Sequence, residues 1–467
     1  MKSYQAAVRL PEKSRFCPLL IITFVLVACL VAFGQQTGQT QASPADKPEA
    51  ALETADAVLR QMSRLTGLPV KEPLKKQLIS RADIDRYLKE NINAEYTPEE
   101  IHGEEAALKA FGLVGLDFDL EKFLISFYTE QAAGFYDPRH KTMFMANWVD
   151  PAAQKMVLSH ELTHALQDQS FDLWRFMRAT RDDDDASSAR EALVEGYATL
   201  AMMQVMLGSI PIEKVPALDA SMEAMVNQQM EEYPVFTKAP YFLRFQALFP
   251  YVQGMHFVRA GLVLGGWKRL NQCFAAPPTT TAEIFQPESY FRPPADATTA
   301  TDPVVRPLTL PPPSALERAP GLMRVENNIM GELGYDALIG QLLTPEEADK
   351  VTLPWVADRY LVYEGPATGQ FALVARTRWS TSEGASGFCD DYRSILEKRS
   401  PGAVSESHGA ASPEARTEHS GSSSEVLLRT AGARQTFLLR EGDECRWAEG
   451  VPGDKAEALE KWLADLP

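Results

Sequence analysis

The sequence predicts an α+β chain, mainly helical in its first part and followed by a smaller unit of strands and helices. Three observations carry that expectation. Apolar residues recur at helix spacing in Ala55-Val58-Leu59-Met62 and in Leu78-Ile79-Ile84-Leu88. Strand-like runs, Tyr360-Leu361-Val362-Tyr363 and Phe371-Ala372-Leu373-Val374, come late in the chain. Residues 291–320, rich in proline and threonine, separate the two regimes and read as a linker or an extended surface strap. A chain of 467 residues also exceeds what one hydrophobic core usually organises.

The N-terminus reads as an export signal over residues 1–34. Lys2, Arg9, Lys13 and Arg15 form a basic region, Pro18 to Phe33 is almost wholly apolar, and Ala32-Phe33-Gly34 offers small residues for cleavage. The apolar run is short for a membrane span, which needs about 20 residues. A periplasmic or extracellular protein is therefore expected. Leu26-Val27-Ala28-Cys29 resembles the lipobox of bacterial lipoproteins, so membrane attachment through a lipidated Cys29 or an uncleaved signal is the alternative.

A formal net charge of −17 argues against nucleic acid and against an anionic membrane surface, since both would be repelled. Beyond the signal the cysteines are Cys273, Cys389 and Cys445. In an oxidising compartment Cys389 and Cys445, which share one candidate domain, are the pair to form a disulfide. Cys273 is then left over and buried.

Residues 35–48 read as a flexible tether and 49–115 as a helical N-terminal region. The central domain is expected over 116–290. It begins with a helix near Leu120–Phe127, turn chemistry at Gly134-Phe135-Tyr136-Asp137-Pro138, and a strand at Lys141–Met145. Asp150-Pro151 then opens a helix expected to run to about Gln169, since Asp caps well and Pro at the first helical position loses no hydrogen bond. Asp182 to Asp185 read as a solvated loop without calcium-loop spacing, followed by a helix from about Ala189 to Leu207. Residues 321–467 read as a small α+β unit. Its helices are expected at Glu383–Lys398 and Lys455–Leu463, its further strands at Glu425–Leu428 and Thr436–Leu439, with Ser400–Ser424 as an insertion.

The chemistry concentrates in His160-Glu161-Leu162-Thr163-His164. Histidines four residues apart on a helix project from one face, and both imidazoles can reach one Zn²⁺ at about 2.0–2.1 Å. Glu161 points slightly around the helix, where it can meet a water at the metal and act as general base. A catalytic zinc needs a third protein ligand and an open position. Downstream histidines are only His256, His408 and His419, at unsuitable spacings, so a carboxylate is favoured. Glu195 is the preferred ligand, beside a glycine that permits close helix approach. Glu191 is its rival, although its place three residues after Ser188 also suits a capping box. Tyr251 or His256 can supply an oxyanion donor. The strand around Lys141–Trp148 is either a sheet edge for an extended peptide or a plain core strand.

With Glu195-Gly196-Tyr197-Ala198 added to His160-Glu161-x-x-His164, the chain resembles the gluzincin metallopeptidases. That resemblance covers about 40 residues. It implies a mainly helical zincin-like domain with a small antiparallel edge sheet, Zn²⁺ held by His160, His164 and Glu195, and Glu161 as base. The chain departs from the family's E-x-x-A-D form at Thr199, where an acid would orient a histidine. Glu191 or Asp168 is the substitute the sequence offers. The contexts Ala133–Asp137 and His164–Gln169 are similar to exported bacterial H-E-x-x-H proteins of unassigned substrate. The implied activity is zinc-dependent hydrolysis of a peptide or protein substrate. The alternatives are a catalytically silent zincin-fold binding or assembly module of the cell envelope, with the C-terminal unit as its interaction surface, and a zinc hydrolase of non-peptide amides.

Overall fold

The computed structural model of the protein describes residues 23–26, 48–292, 308–344, 355–399, 425–430 and 432–467. The tether, Cys29 with most of the signal, the first part of the proline-rich strap and Ser400–Ser424 lie outside the described residues. The fold is α+β. Among the described residues no helix is long and apolar enough to cross a membrane.

The first helix, Pro48–Thr66, buries Ala55, Val58, Leu59 and Met62 as their spacing demands. The second apolar run behaves differently. Lys75–Ile79 is a strand, β2, and a helix begins only at Arg81, where the Ser80 side chain accepts the Asp83 N–H at 3.2 Å. Ile84, Leu88 and Ile92 on that helix are fully buried. Leu78 and Ile79 were drawn into the sheet by tertiary pairing, which overrides a local spacing compatible with either state.

Four strands form the first sheet, in the order β1 (Thr23–Leu26), β3 (Ala132–Asp137), β4 (Thr142–Ala146), β2. β3 and β4 make a hairpin, so Gly134–Asp137, expected as a turn, is strand, and the turn falls at 138–141. β1 runs antiparallel to β3, but β2 runs parallel to β4, so the sheet is mixed where an antiparallel one was expected. β4 is flanked on both sides. The Lys141–Trp148 segment is therefore an interior strand, and the edge expectation for it is corrected.

The second sheet has six antiparallel strands in the order β5-β6-β7-β10-β9-β8, namely Met323–Asn328, Trp355–Glu364, Phe371–Trp379, Glu444–Pro452, Arg434–Glu441 and Glu425–Arg429. β5 and β10 were not visible as strands in the sequence. The helix Ser382–Arg399 packs on this sheet and is bonded to it by the Cys389–Cys445 disulfide, with Cα atoms 5.8 Å apart. Cys273 is free and buried. Residues 308–320 are packed down, with Leu308, Leu310 and Leu316 all buried.

The hydrophobic core passes from the helices into this sheet without a break. Phe111 meets Tyr360 edge-on at 5.2 Å between ring centroids. The helix Gly331–Leu342 buries Leu338 and Ile339 and lies against the helices Asp184–Leu207 and Tyr241–Cys273.

Candidate metal centre

Asp150 caps the motif helix, Pro151–Phe171, by accepting the Ala152 N–H at 2.8 Å, with Pro151 at the first helical position. Every residue from Met156 to Asp168 is buried, so this helix is enclosed on all sides. β3 crosses it at Gly134, where a Cβ would fall 2.6 Å from Cγ1 of Val157. Only glycine lets the strand come so close to Glu161.

The second helix runs Asp184–Leu207, starting earlier than its sequence suggested. Asp183 is its cap and accepts the Ala186 N–H at 2.9 Å. The aspartate run is thus a helix start in place of the expected solvated loop. Asp185 is only 2% exposed and accepts the Thr281 N–H at 2.9 Å. Ser188 lies inside the helix, so the capping role weighed for Glu191 is absent.

Gly196 decides how closely this helix meets Tyr241–Cys273. A Cβ on Gly196 would lie 2.1 Å from the Gly254 carbonyl carbon, and one on Gly254 would lie 2.2 Å from the Ala192 oxygen. Two backbones touch there. The contact sets Glu195 against the motif helix and brings Tyr251 within 6.4 Å of the His160 ring, centroid to centroid.

Three acceptor groups converge. Oε2 of Glu195 is 3.1 Å from Nε2 of His160 and 3.5 Å from Nε2 of His164. All three residues are at most 1% exposed, their ligand atoms lie within 4.8 Å of one another, and together they could hold a metal ion. Of the two glutamates weighed for this place, Glu195 is the one brought to the histidines. Burial holds His160 down to about 4, so its imidazole is neutral and ligand-ready. Burial pushes the Glu195 carboxyl up, but His164 and the His160 hydrogen bond outweigh it and hold the group at about 2.

Glu161 is fully buried, and neither carboxylate oxygen has a hydrogen-bond partner among the described residues. Burial, then the Glu195 charge, pushes its carboxyl well above the ordinary range. The Tyr136 backbone N–H opposes that shift only weakly, so the carboxyl is placed to hold a proton.

The orienting groups differ from those expected. Nδ1 of His164 lies 2.8 Å from Oε1 of Gln167, and Nε2 of Gln167 donates to the Val194 carbonyl at 3.1 Å. An amide oxygen can only accept, so the His164 proton sits on Nδ1 and the Nε2 lone pair faces Glu195. Asp168, offered for this role by the sequence, instead accepts from the Tyr136 hydroxyl at 2.8 Å and the Leu173 N–H at 2.9 Å. Thr199 is buried with Oγ1 unpaired. His256, weighed as an oxyanion donor, is bonded through Nδ1 to Asp219 at 3.0 Å. Gln167 was detectable only as a polar residue three positions after a histidine on a buried helix.

Residues 318–458 match the model of a domain of unknown function, DUF8575. No curated protein and no solved structure matches the chain. The matched segment holds the six-stranded sheet and none of His160, Glu161, His164 or Glu195.

Proposed function

We propose that the protein is an exported zinc metallopeptidase of zincin-like fold that hydrolyses peptide bonds at this centre. The observation that carries the reading is the convergence of His160, His164 and Glu195 beside the buried carboxyl of Glu161. Zinc suits the donor set and the spacing. Tetrahedral bonds of about 2.0–2.1 Å set neighbouring ligand atoms about 3.3 Å apart, and the two separations here are 3.1 and 3.5 Å.

Zn²⁺, when bound, supplies Lewis acidity that eases deprotonation of a water and polarises a carbonyl. The chain's own groups do the rest. His160, His164 and Glu195 hold the ion, and Gln167 keeps His164 in the ligating tautomer. Glu161 takes the proton of the attacking water and returns it to the leaving amine, with no covalent intermediate. Tyr251 stands on the His160 side, where its hydroxyl can donate to the developing oxyanion. Cleavage of the signal would remove Thr23–Leu26, which occupies the outer side of β3, and the edge so freed on the strand nearest Glu161 would take an extended peptide. The Cys389–Cys445 disulfide supports export.

The test is metal analysis and peptide hydrolysis on protein made in an oxidising compartment. Wild type should hold about one zinc per chain, Glu195→Ala should lose it and Glu191→Ala should keep it. Glu161→Gln should keep zinc and lose turnover over a diverse peptide library. A Glu161→Gln protein that cleaves as fast as wild type would refute the assigned base. A zinc-loaded wild type that cleaves nothing would favour the silent binding module.

A further inference from the structure

The helices Asp184–Leu207 and Tyr241–Cys273 run in the same direction. The helix Gly331–Leu342 touches the start of each, since a Cβ on Gly331 would lie 2.0 Å from Oδ1 of Asp185 and one on Gly340 would lie 2.8 Å from Cε1 of Tyr241. At 1.5 Å per residue those glycines stand about 14 Å apart. Antiparallel helices crossing at Gly196 and Gly254 would separate Asp185 from Tyr241 by about 36 Å, beyond the reach of that helix. Their far ends therefore share one side of the molecule. Met206 and Leu264 each lie ten residues past the crossing, about 15 Å along the axis. The 3₁₀ turn Ile212–Lys214 packs against both helices.

The second helix ends this run in a reversal. Gly266 has a left-handed φ of 63°, and Cδ2 of Leu270 returns to within 2.6 Å of where a Cβ on Gly261 would stand. Nine residues of continuous helix, about 13 Å of rise, would forbid that contact. Val263-Leu264 is thus the outside of a bend, 61% and 65% exposed. Met206 and Ile210 are exposed at the matching end of the first helix, so four of the nine large apolar residues exposed among the described ones gather here. The tip is convex: a Cβ on Gly208 or on Gly266 would meet nothing within 4 Å. Just behind it Trp267 is half-buried, edge-on to Tyr197 at 5.1 Å between ring centroids. Charge there runs against the rest of the chain. Residues 206–214 and 263–269 carry Lys214, Lys268 and Arg269 against Glu213 alone, in a chain of net charge −17. Lys214 and Lys268 are exposed and form no ion pair among the described residues.

We propose that this tip is a docking surface for a lipid bilayer carrying anionic headgroups, with Met206, Ile210, Val263 and Leu264 entering the interface. Aliphatic side chains on a convex turn leave water for the boundary between headgroups and acyl chains, as amphipathic surfaces do. Lys214 and Lys268 then stand at headgroup level, and Trp267 takes the amphipathic depth that indole rings favour. A second copy of this chain fits the surface less well, because a two-fold contact there would set the same lysines against each other. The net charge of −17 keeps the rest of the surface away from such a membrane, so the tip also sets the orientation in which the protein docks. Docking of this kind needs no chemistry at the metal centre.

The full chain with Cys17→Ser and Cys29→Ser excludes lipidation and leaves single added cysteines to be labelled. An environment-sensitive fluorophore at Leu264→Cys should shift to the blue on vesicles of equal parts phosphatidylglycerol and phosphatidylcholine. One at Val426→Cys, exposed elsewhere, should not. With the probe at Ile210→Cys, Val263→Ser together with Leu264→Ser should weaken binding about 10-fold or more, as two apolar side chains leave the interface. Lys268→Gln should weaken it about 5-fold on these vesicles and leave binding to pure phosphatidylcholine unchanged. Melting temperature should hold throughout, since all of these side chains are exposed. No shift at Leu264, an equal shift at Val426, or an affinity untouched by the substitutions overturns the proposal. So does a dimer in sedimentation without lipid that Leu264→Ser disperses, which would name a second copy as the occupant.

Discussion

Oε1 of Gln167 lies 2.8 Å from Nδ1 of His164, one helical turn further along the motif helix. This bond decides which imidazole nitrogen is free for a metal. Replacing Gln167 with Leu keeps the helix and its volume but lets His164 rotate and change tautomer. Metal affinity should fall about 10- to 100-fold, as orienting partners of histidine ligands commonly contribute. Competition with a chelator at equilibrium measures it, and unchanged affinity would show that packing alone orients His164.

The Gly196–Gly254 crossing should tolerate no methyl group. In Gly196→Ala the new Cβ meets backbone at 2.1 Å, so the helices must part. Overpacking of this kind costs about 1–3 kcal/mol or more. Because Glu195 is the next residue, Gly196→Ala should lower both melting temperature and zinc retention. An exposed control, Gly208→Ala, has nothing within 4 Å of its Cβ, and only its positive φ of 63° opposes the change. It should leave zinc retention intact.

Glu444 anchors the second sheet. Its carboxylate accepts from Arg376 at 2.7 and 2.9 Å, from Arg378 at 2.6 Å and from Arg446 at 2.9 Å, and it is 4% exposed. Burial raises its pKa, but the Arg376 bond and the neighbouring guanidinium charges outweigh burial and lower it. A carboxyl lowered by folding contributes stability that is complete above the unfolded value of about 4.3 and is lost as pH falls through the folded value. Glu444→Gln should cost about 3–5 kcal/mol at pH 7, because it strands buried arginine charge. The penalty should shrink at pH 3, below the unfolded value, where unfolding takes up a proton that the folded carboxylate resists. Denaturant unfolding at the two pH values compares them, and an equal penalty at both would contradict the assignment.

The disulfide spans a sequence separation of 56 residues. Closing a loop of that size should contribute about 4 kcal/mol by restricting the unfolded chain. The double variant Cys389→Ser, Cys445→Ser should unfold at correspondingly lower denaturant, and adding reductant should bring wild type to the same midpoint.

Legibility in the sequence followed how local the deciding interaction is. Asp150-Pro151 capped the motif helix as read, because capping involves neighbours only. The Cys389–Cys445 pair was readable because few cysteines were left to combine. Leu78 and Ile79 were misread because their partner strand, β4, lies far along the chain. The Asp182–Asp185 run was misread for a related reason. Asp185 is buried only because Thr281, distant in sequence, arrives to bond it.

The amino-acid order by itself determined that His160 and His164 share a helix face with Glu161 beside them, since helical period alone dictates that. It also determined that a carboxylate would have to complete the set, because no later histidine had suitable spacing. It favoured Glu195 over Glu191 only through the neighbouring Gly196, because the two stand four residues apart on one face and periodicity does not separate them. The tertiary structure decided it. Gly196 and Gly254 touch backbone to backbone, and that contact sets Glu195 at the histidines and leaves Glu191 one turn away. The glutamate that meets the histidines is thus selected by where two helices cross, a quantity set by packing between segments remote in sequence.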